Sequence, residues 1–301
     1  MDSNINKFLQ ELEINSLSTA HNVRCDGICL SRNSSDFVHI KAKENEEGLI
    51  INVDDNANEM FEIPVIINTS NYNEFIYNDF NIGENVNITI FSGCMINNNE
   101  KENSMHNGFH TFNIGKNSKV TYIENHLANG ENENKVINTK TVINLAKNSE
   151  LVMKTKQLKG LNKSNKNIVV YLEDNSSFVL NEKILLAKEE NTSSNYVVNL
   201  NGKNSSTTIN SKTVAKDNSI SNFTSTINGN NKCFGHVTCD ALLLNDAKVS
   251  SNPMVISNNE NAILTHEAAI GKIAEEQIEK LMTLGLTKKE AEDTIINSYT
   301  N

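Results

Sequence analysis

Residues 113–120 read NIGKNSKV, and close copies stand at 81–88 (NIGENVNI), 144–151 (NLAKNSEL) and 171–178 (YLEDNSSF). Weaker copies follow at 201–207 (NGKNSST), 214–220 (VAKDNSI) and 243–249 (LLNDAKV). With Asn85, Asn117, Asn148, Asn175, Asn204, Asn218 and Asp246 as landmarks, the steps are 32, 31, 27, 29, 14 and 28 residues, one of them half a period. A short unit that recurs at this spacing and cannot bury its apolar face alone marks a solenoid. Asparagine suits its turns, because it tolerates positive φ and bonds locally to backbone. Beside the turns apolar residues alternate, as in Val86, Ile88 and Ile90, which gives strands with one inward face. The expected fold is therefore mainly β, a β-helix. An antiparallel sandwich has strands at similar intervals and is the competing reading, but the shared phrase favours the solenoid.

Working outward, residues 1–22 form a helical segment, with Ile5, Phe8, Leu9 and Leu12 at helical spacing, suited to docking. Residues 23–80 form an N-terminal β region whose runs GLIINV and FEIPVIIN read as strands in hairpins or irregular coils. The β-helix core is set at 81–265 and a helical domain at 266–301. There Ile270, Ile273, Ile278, Leu281 and Met282 line one helical face. Gly285 stops the first helix, and a capping box from Thr287 to Glu290 starts a second one carrying Ala291, Ile295 and Ile296. This hairpin is expected to cap the ladder end or to dock a partner, through Ile270, Ile273, Ile278, Leu281, Met282, Leu286 and Ile295.

The chain has 301 residues, no tryptophan and a net charge of −10, which disfavours non-specific nucleic-acid binding and anionic membrane surfaces. Asparagine makes up roughly a sixth of it, far above ordinary usage. Five scattered cysteines, Cys25, Cys29, Cys94, Cys233 and Cys239, lack zinc-ribbon spacing, and MDSNINKFLQELEI has no signal-peptide pattern, so a reduced, cytoplasmic setting is expected. No apolar run approaches the roughly 18 residues of a spanning helix. Nucleotide loops, HExxH and Gly-x-Ser-x-Gly are absent. A polysaccharide-acting β-helix enzyme would need carboxylates clustered with basic residues on one face, and no such cluster is evident.

Two constellations remain. Cys239 lies 27 and 28 residues before His266 and Glu267, about one coil, so thiolate, imidazole and carboxylate are expected on one wall, close enough for one metal centre. Cys239 alone also fits a small core residue, and His266 and Glu267 fit the start of a helix. The second set is Cys94, His106, His110, Glu124 and His126, where HNGFH places two imidazoles four apart. Cys25 and Cys29 read as structural or incidental, and Cys233 as a possible persulfide relay to Cys239.

The run HEAAIGKIAEEQIEKLMTLGLTKKEAEDTIINSY, preceded by CDALLL, resembles the C-terminal signature of the SufB/SufD family. The likeness extends more loosely to SGC at 92–94, HNGFH at 106–110, YIENH at 122–126 and KQLKG at 156–160. It implies a right-handed parallel β-helix with a short N-terminal helix and a C-terminal helical hairpin. It also implies a scaffold for iron–sulfur cluster assembly that carries no turnover of its own, driven by a SufC-type ABC ATPase and fed by a sulfur donor. By the same resemblance Cys239 matches the cysteine that SufB uses for sulfur acceptance and cluster binding, and His266 and Glu267 match its histidine and glutamate. Thr265 stands where SufB often has an acid. The chain is short for SufB, so a homodimer is implied, with the strands near 239–267 paired across a two-fold axis and a cluster bound transiently there. A SufD-like structural partner with an idle cysteine is the alternative within the family.

Overall fold

In the computed structural model, which describes residues 3–130, 134–158 and 160–300, the chain winds through about eight turns of a parallel β-solenoid. Lys159 of the KQLKG stretch lies outside the described residues. Each coil gives one strand to each of two sheets. The first sheet runs β19 (Ile263–Lys272), β17 (Phe234–Leu243), β15 (Ser206–Ala215), β13 (Ser177–Leu186), β11 (Glu150–Gln157), β9 (Lys119–Asn129), β7 (Asn87–Asn97), β5 (Asn58–Ile67), β1 (His21–Cys25) and β2 (Ile28–Asn33). The second runs β18 (Lys248–Ser257), β16 (Ile220–Gly229), β14 (Asn191–Leu200), β12 (Lys163–Leu172), β10 (Lys135–Leu145), β8 (Ser104–Ile114), β6 (Tyr72–Ile82), β4 (Gly48–Val53) and β3 (Val38–Ala42). Coil stacks on coil in register, so inward residues form columns. Phe80 and Phe112, on neighbouring strands, stack with ring centroids 4.2 Å apart, and Tyr122 meets Phe112 edge-on at 5.1 Å.

The asparagine excess has a second cause besides turn chemistry. Asn117 donates its amide to Asn85, Asn148 to Asn117, Asn175 to Asn148 and Asn204 to Asn175, at 2.9–3.1 Å. All five have φ between 55° and 62°. Further amide ladders climb the outer faces, one through Asn52, Asn81, Asn113 and Asn144 and one through Asn73, Asn107, Asn138 and Asn165. A carboxamide both donates and accepts, so it satisfies the coil above and the coil below at once. Replacing Asn148 with alanine is expected to lower unfolding free energy by about 1–2 kcal/mol in a urea titration, from two lost amide bonds plus a Cβ at positive φ. Asn148→Gly, which relieves the φ strain, should recover part of that loss.

The half-period step also has a structural reason. Asn218 and Asp246 belong to the opposite corner of the coil, where the positive φ falls one residue earlier, on Asp217 and Asn245, and also on Lys188. The phrase changes corners after Asn204.

Several boundaries move. Coiling starts at β4 and β5, inside the 23–80 region, and antiparallel hairpins β1–β2 and β3–β4 close that end. Helix α1 (Ser3–Glu11) docks on the chain's own first sheet, with Ile5, Phe8, Leu9 and Leu12 packed on Val23, Ile66, Met95 and Leu127. At the other end, residues 266–272 are strand rather than helix, because His266, Ala268 and Ile270 continue the inward alternation in register with β17. The helices are α2 (Glu275–Thr283) and α3 (Lys288–Thr300). Gly285 at φ 95° ends the first. In the capping box, the Thr287 hydroxyl and backbone N–H both donate to the Glu290 carboxylate, and the Glu290 N–H returns a bond to the Thr287 hydroxyl.

The helix pair does not cap the ladder. It folds against the outer face of the first sheet, where Ile273, Ile296 and Tyr299 pack on Val214, Leu244, Leu185 and Leu242. The expected docking face is therefore divided. Ile278 is buried and Ile273, Leu281, Leu286 and Ile295 are half-buried, while Ile270, Met282 and the unanticipated Leu284 are exposed. Strands β18 and β19 remain edge strands, with Met254, Ile256, Ile263 and Ile270 exposed. Pro253, which lacks an N–H, is placed where a missing donor does least harm, on edge strand β18.

Candidate functional site

The second constellation of the sequence comes together inside the coil. Cys94 on β7, His106 and His110 on β8, and Glu124 and His126 on β9 are all buried and line one enclosed cavity of ≈ 10 Å³, room for about one water-sized species. Even spacing along a strand keeps His106 and His110 on the same face. Between them Gly108 leaves space: a Cβ there would stand 2.9 Å from Nε2 of His110 and 3.2 Å from Nε2 of His106. The other nitrogen of His106, Nδ1, bonds the Glu74 carboxylate at 2.8 Å, with the Arg24 guanidinium 3.5 Å from the same carboxylate. A carboxylate on one imidazole nitrogen fixes ring orientation and raises the basicity of the other, the arrangement found behind metal-binding histidines.

The electrostatics of this chamber oppose one another. Burial pushes His110 down to about 4, against the pull of Glu124, and its Nδ1 is buried without a hydrogen-bond partner. Burial would raise Glu124, but the nearby His126 at 3.6 Å, followed by Lys166 and His110, outweighs it and holds the carboxyl well below its usual range. The Cys94 thiol is pushed well up by burial and then by Glu74 and Glu124.

A polar column leads from the chamber towards the open end. In-register pairing stacks Ser92, Glu124, Thr155, Glu182, Ser211 and Cys239 on the inner face of the first sheet. Glu182 accepts from Lys166 Nζ at 3.1 Å, Ser194 at 3.1 Å, Tyr196 at 2.6 Å and Ser211 at 2.9 Å. Lys166 also donates to Thr155 at 3.1 Å. Glu74, Arg24, Lys166 and Glu182 were not singled out from sequence. Subtracting one coil at a time from Cys239 would have found Glu182, but the variable coil length hides the others.

At the open end the expected triad is only partly assembled. Cys239 is buried and inward, its thiol raised chiefly by burial. His266 pairs with Val237 and so shares the inner face, displaced from Cys239 by one coil and one inward position and exposed to solvent. Glu267 pairs with Thr238 and lies on the outer face, away from Cys239. Thr265, also outward, accepts or donates a bond with His236 Nδ1 at 2.7 Å. Among the described residues no three His, Cys, Asp or Glu side chains are placed to hold one metal ion. Cys25 and Cys29 lie on the β1–β2 hairpin with separate neighbours, Asp26 and Asn22, and Cys233 is buried near Gly229.

A β-solenoid with thiol and imidazole groups inside the coil and at an uncovered end defines a class of protein suited to sulfur and borderline-metal chemistry. The family model described as SUF system FeS cluster assembly, SufBD core domain, matches residues 65–299, and the chain belongs to that family. It is similar to an iron-sulfur cluster assembly SufBD family protein of Pyrococcus horikoshii, 29% identical over 271 residues, 88% of this chain and 81% of that one. A SufBD family protein of Methanocaldococcus jannaschii is 39% identical over 110 residues, 36% of this chain and 35% of that protein. The iron-sulfur cluster assembly protein SufB of Bacillus subtilis is 30% identical over 100 residues, 32% of this chain and 22% of that protein. Among the described residues no helix is long and apolar enough to cross a membrane.

Proposed function

We propose that this chain is a scaffold subunit on which an iron–sulfur cluster is assembled and from which it is released, without turnover of its own. The observation that carries the reading is the buried polar column ending at Cys239, one coil short of an open end where His266 lies uncovered. Among the described residues, one chain brings no three His, Cys, Asp or Glu side chains together as a ligand set. The unpaired edges β18 and β19 offer backbone pairing to a second copy, and a two-fold axis there would bring two Cys239–His266 sets together. Mixed thiolate and imidazole ligation holds iron less firmly than four thiolates, which suits a cluster that is handed on.

Cys239 is inert while buried, because the thiolate is the form that accepts sulfur and binds metal. A SufC-type ATPase docked on the exposed Ile270, Met282 and Leu284 would act through α2, which is joined to β19 by residues 273 and 274. Movement of β19 would uncover Cys239 and shift His266 in the same step. The Cys94 chamber, at the far end of the column, serves as a second station for sulfur or iron in transit rather than as a closed resident metal site. The cytoplasm is the compartment this reading requires.

Anaerobic reconstitution with iron and sulfide tests the reading, with absorption spectra and sedimentation run side by side. The wild type is expected to show a visible charge-transfer band at twice the monomer mass. Cys239→Ser is expected to lose the band. A band that survives undiminished in Cys239→Ser would overturn the assignment of that thiol, and no band in either protein would make the SufD-like structural role the better account.

A further inference from the structure

The inward positions of β8 are filled by Ser104, His106, His110, Phe112 and Ile114, and between the two histidines stands Gly108, which has no side chain. On the neighbouring strands its column continues as Ile76 and Thr139. Pairing runs through Gly108 unbroken on both sides, so no bulge requires a glycine, and its φ lies outside the left-handed region. Glycine inside a strand otherwise marks a place where a ligand or another backbone comes close. No backbone is the close neighbour here. The three atoms nearest to an added Cβ all belong to imidazoles: Nε2 of His110 at 2.9 Å, Nε2 of His106 at 3.2 Å and Cε1 of His110 at 3.4 Å.

Both rings are more than nine-tenths buried, and among the described residues neither Nε2 has a hydrogen-bond partner. Nδ1 of His106 donates to the Glu74 carboxylate, so in the neutral ring Nε2 carries the lone pair. Nothing bonds Nδ1 of His110, so no contact prevents its Nε2 from presenting a lone pair in the same way. The sign of the surrounding charge selects the occupant. Glu124 is the carboxylate on the cavity wall, and among the described residues no lysine or arginine lines it. Arg24 is engaged by Glu74 and Glu47, and Lys166 by Glu182. Lone pairs and a carboxylate attract a cation, while no fixed positive charge on the wall would hold an anion such as hydrosulfide. The volume of ≈ 10 Å³ admits one ion and no cluster.

We infer that the space over Gly108, between Nε2 of His106 and Nε2 of His110, takes a single divalent cation of the borderline class that imidazole favours, with ferrous iron as its cargo. An imidazole nitrogen binds such an ion at about 2.1 Å, so each ring closes on it by about 1 Å. Two protein donors hold an ion more loosely than the closed set of four in a structural site, which suits an ion kept for transfer. Glu74 is a positioning residue, since its bond to Nδ1 orients the His106 ring and raises the basicity of Nε2. That the ion is iron rests on the reading of this chamber as a station in cluster assembly, whereas the seat itself rests on the geometry around Gly108.

Titration of the full chain with cobalt(II), without sulfide, tests the seat. The visible ligand-field band is followed in a Cys239→Ser background, which removes the thiol of the open end. Gly108→Ala keeps both imidazoles and puts a methyl group in the seat, His110→Phe removes one donor, and His39→Asn alters a solvent-facing imidazole on β3. Each is checked for cooperative thermal unfolding without metal. Saturable binding of one ion per chain is expected, weakened at least about tenfold in Gly108→Ala and in His110→Phe and unchanged in His39→Asn. Full affinity in either chamber variant, equal weakening in all three, or no saturable binding overturns the inference. If Gly108→Ala does not fold, His110→Phe against His39→Asn decides. Anaerobic competition then assigns the cargo: ferrous iron that displaces the chamber's cobalt supports iron, and iron that does not overturns that assignment. No cluster forms without sulfide, so failure here leaves the Cys239 experiment untouched, and loss of the Cys239-dependent band leaves the cobalt result untouched.

Discussion

Glu182→Ala is expected to lower the unfolding free energy by about 3–5 kcal/mol at neutral pH, the typical consequence of removing one partner of a sealed ion pair. The carboxylate is buried in the middle of the solenoid and accepts four hydrogen bonds, from Lys166, Ser194, Tyr196 and Ser211. Removing it leaves the Lys166 ammonium, itself buried, with Thr155 as its remaining hydrogen-bond acceptor. It also strands three hydroxyl donors. Burial and then the Glu182 charge keep the Tyr196 phenol firmly protonated, so it cannot supply a compensating anion. The double variant Glu182→Leu/Lys166→Met should recover much of the loss, because it removes both charges and fills the volume. Urea unfolding of the three proteins measures this directly. A Glu182→Ala loss below about 1 kcal/mol would mean that water already enters the column and solvates Lys166, a result that would turn a packed seam into a hydrated channel.

This seam also shows where sequence and structure part company. The solenoid was legible because its repeat is carried by a phrase, and the in-register ladders follow from a nearly constant coil length. The same near-constancy misled at the Cys239 site. The separation of 27 from Cys239 to His266 predicts one coil, but the coil there is 29 residues, since Val237 is the partner of His266. A two-residue slip preserves the face and moves the imidazole along the strand. A one-residue slip reverses the face, which is why Glu267 points away. In the chamber the reverse happened. The spacing of four in HNGFH guarantees a common face only if the segment is a strand, and on β8, where any even spacing keeps the face, it is. Glu74 was invisible because the coil from Glu74 to His106 is 32 residues, and Lys166 faces Glu182 across the interior from the other sheet, a relation no single-strand pattern records. The helical period after His266 began too early because AAIGKI satisfies both alternation and an amphipathic turn; the register with β17 settles it as strand.

Acid should unfold this protein in two stages, and the chamber sets the first. His110 has a folded value of about 4 against an ordinary 6.5. Between those values the unfolded chain binds a proton that the native imidazole refuses, so stability falls as pH is lowered through this window, by about 3 kcal/mol once pH reaches 4. Glu124 acts below that. Its folded value is depressed, so the stability it contributes is present above the ordinary carboxyl range and is lost as pH falls through and beneath it. Unfolding free energies measured in urea from pH 7 to pH 3 should therefore decline throughout. His110→Phe should flatten the decline above pH 4 and leave the lower stage intact, since Phe80 already meets this ring edge-on at 6.1 Å and an aromatic side chain fits there. An unchanged slope in His110→Phe would show that the native chamber takes up the proton and is wet. A flattened one would mean that at neutral pH His110 presents a neutral ring, its Nε2 beside that of His106 over Gly108, in the protonation state that can donate a lone pair to iron or accept a proton from a passing hydrosulfide.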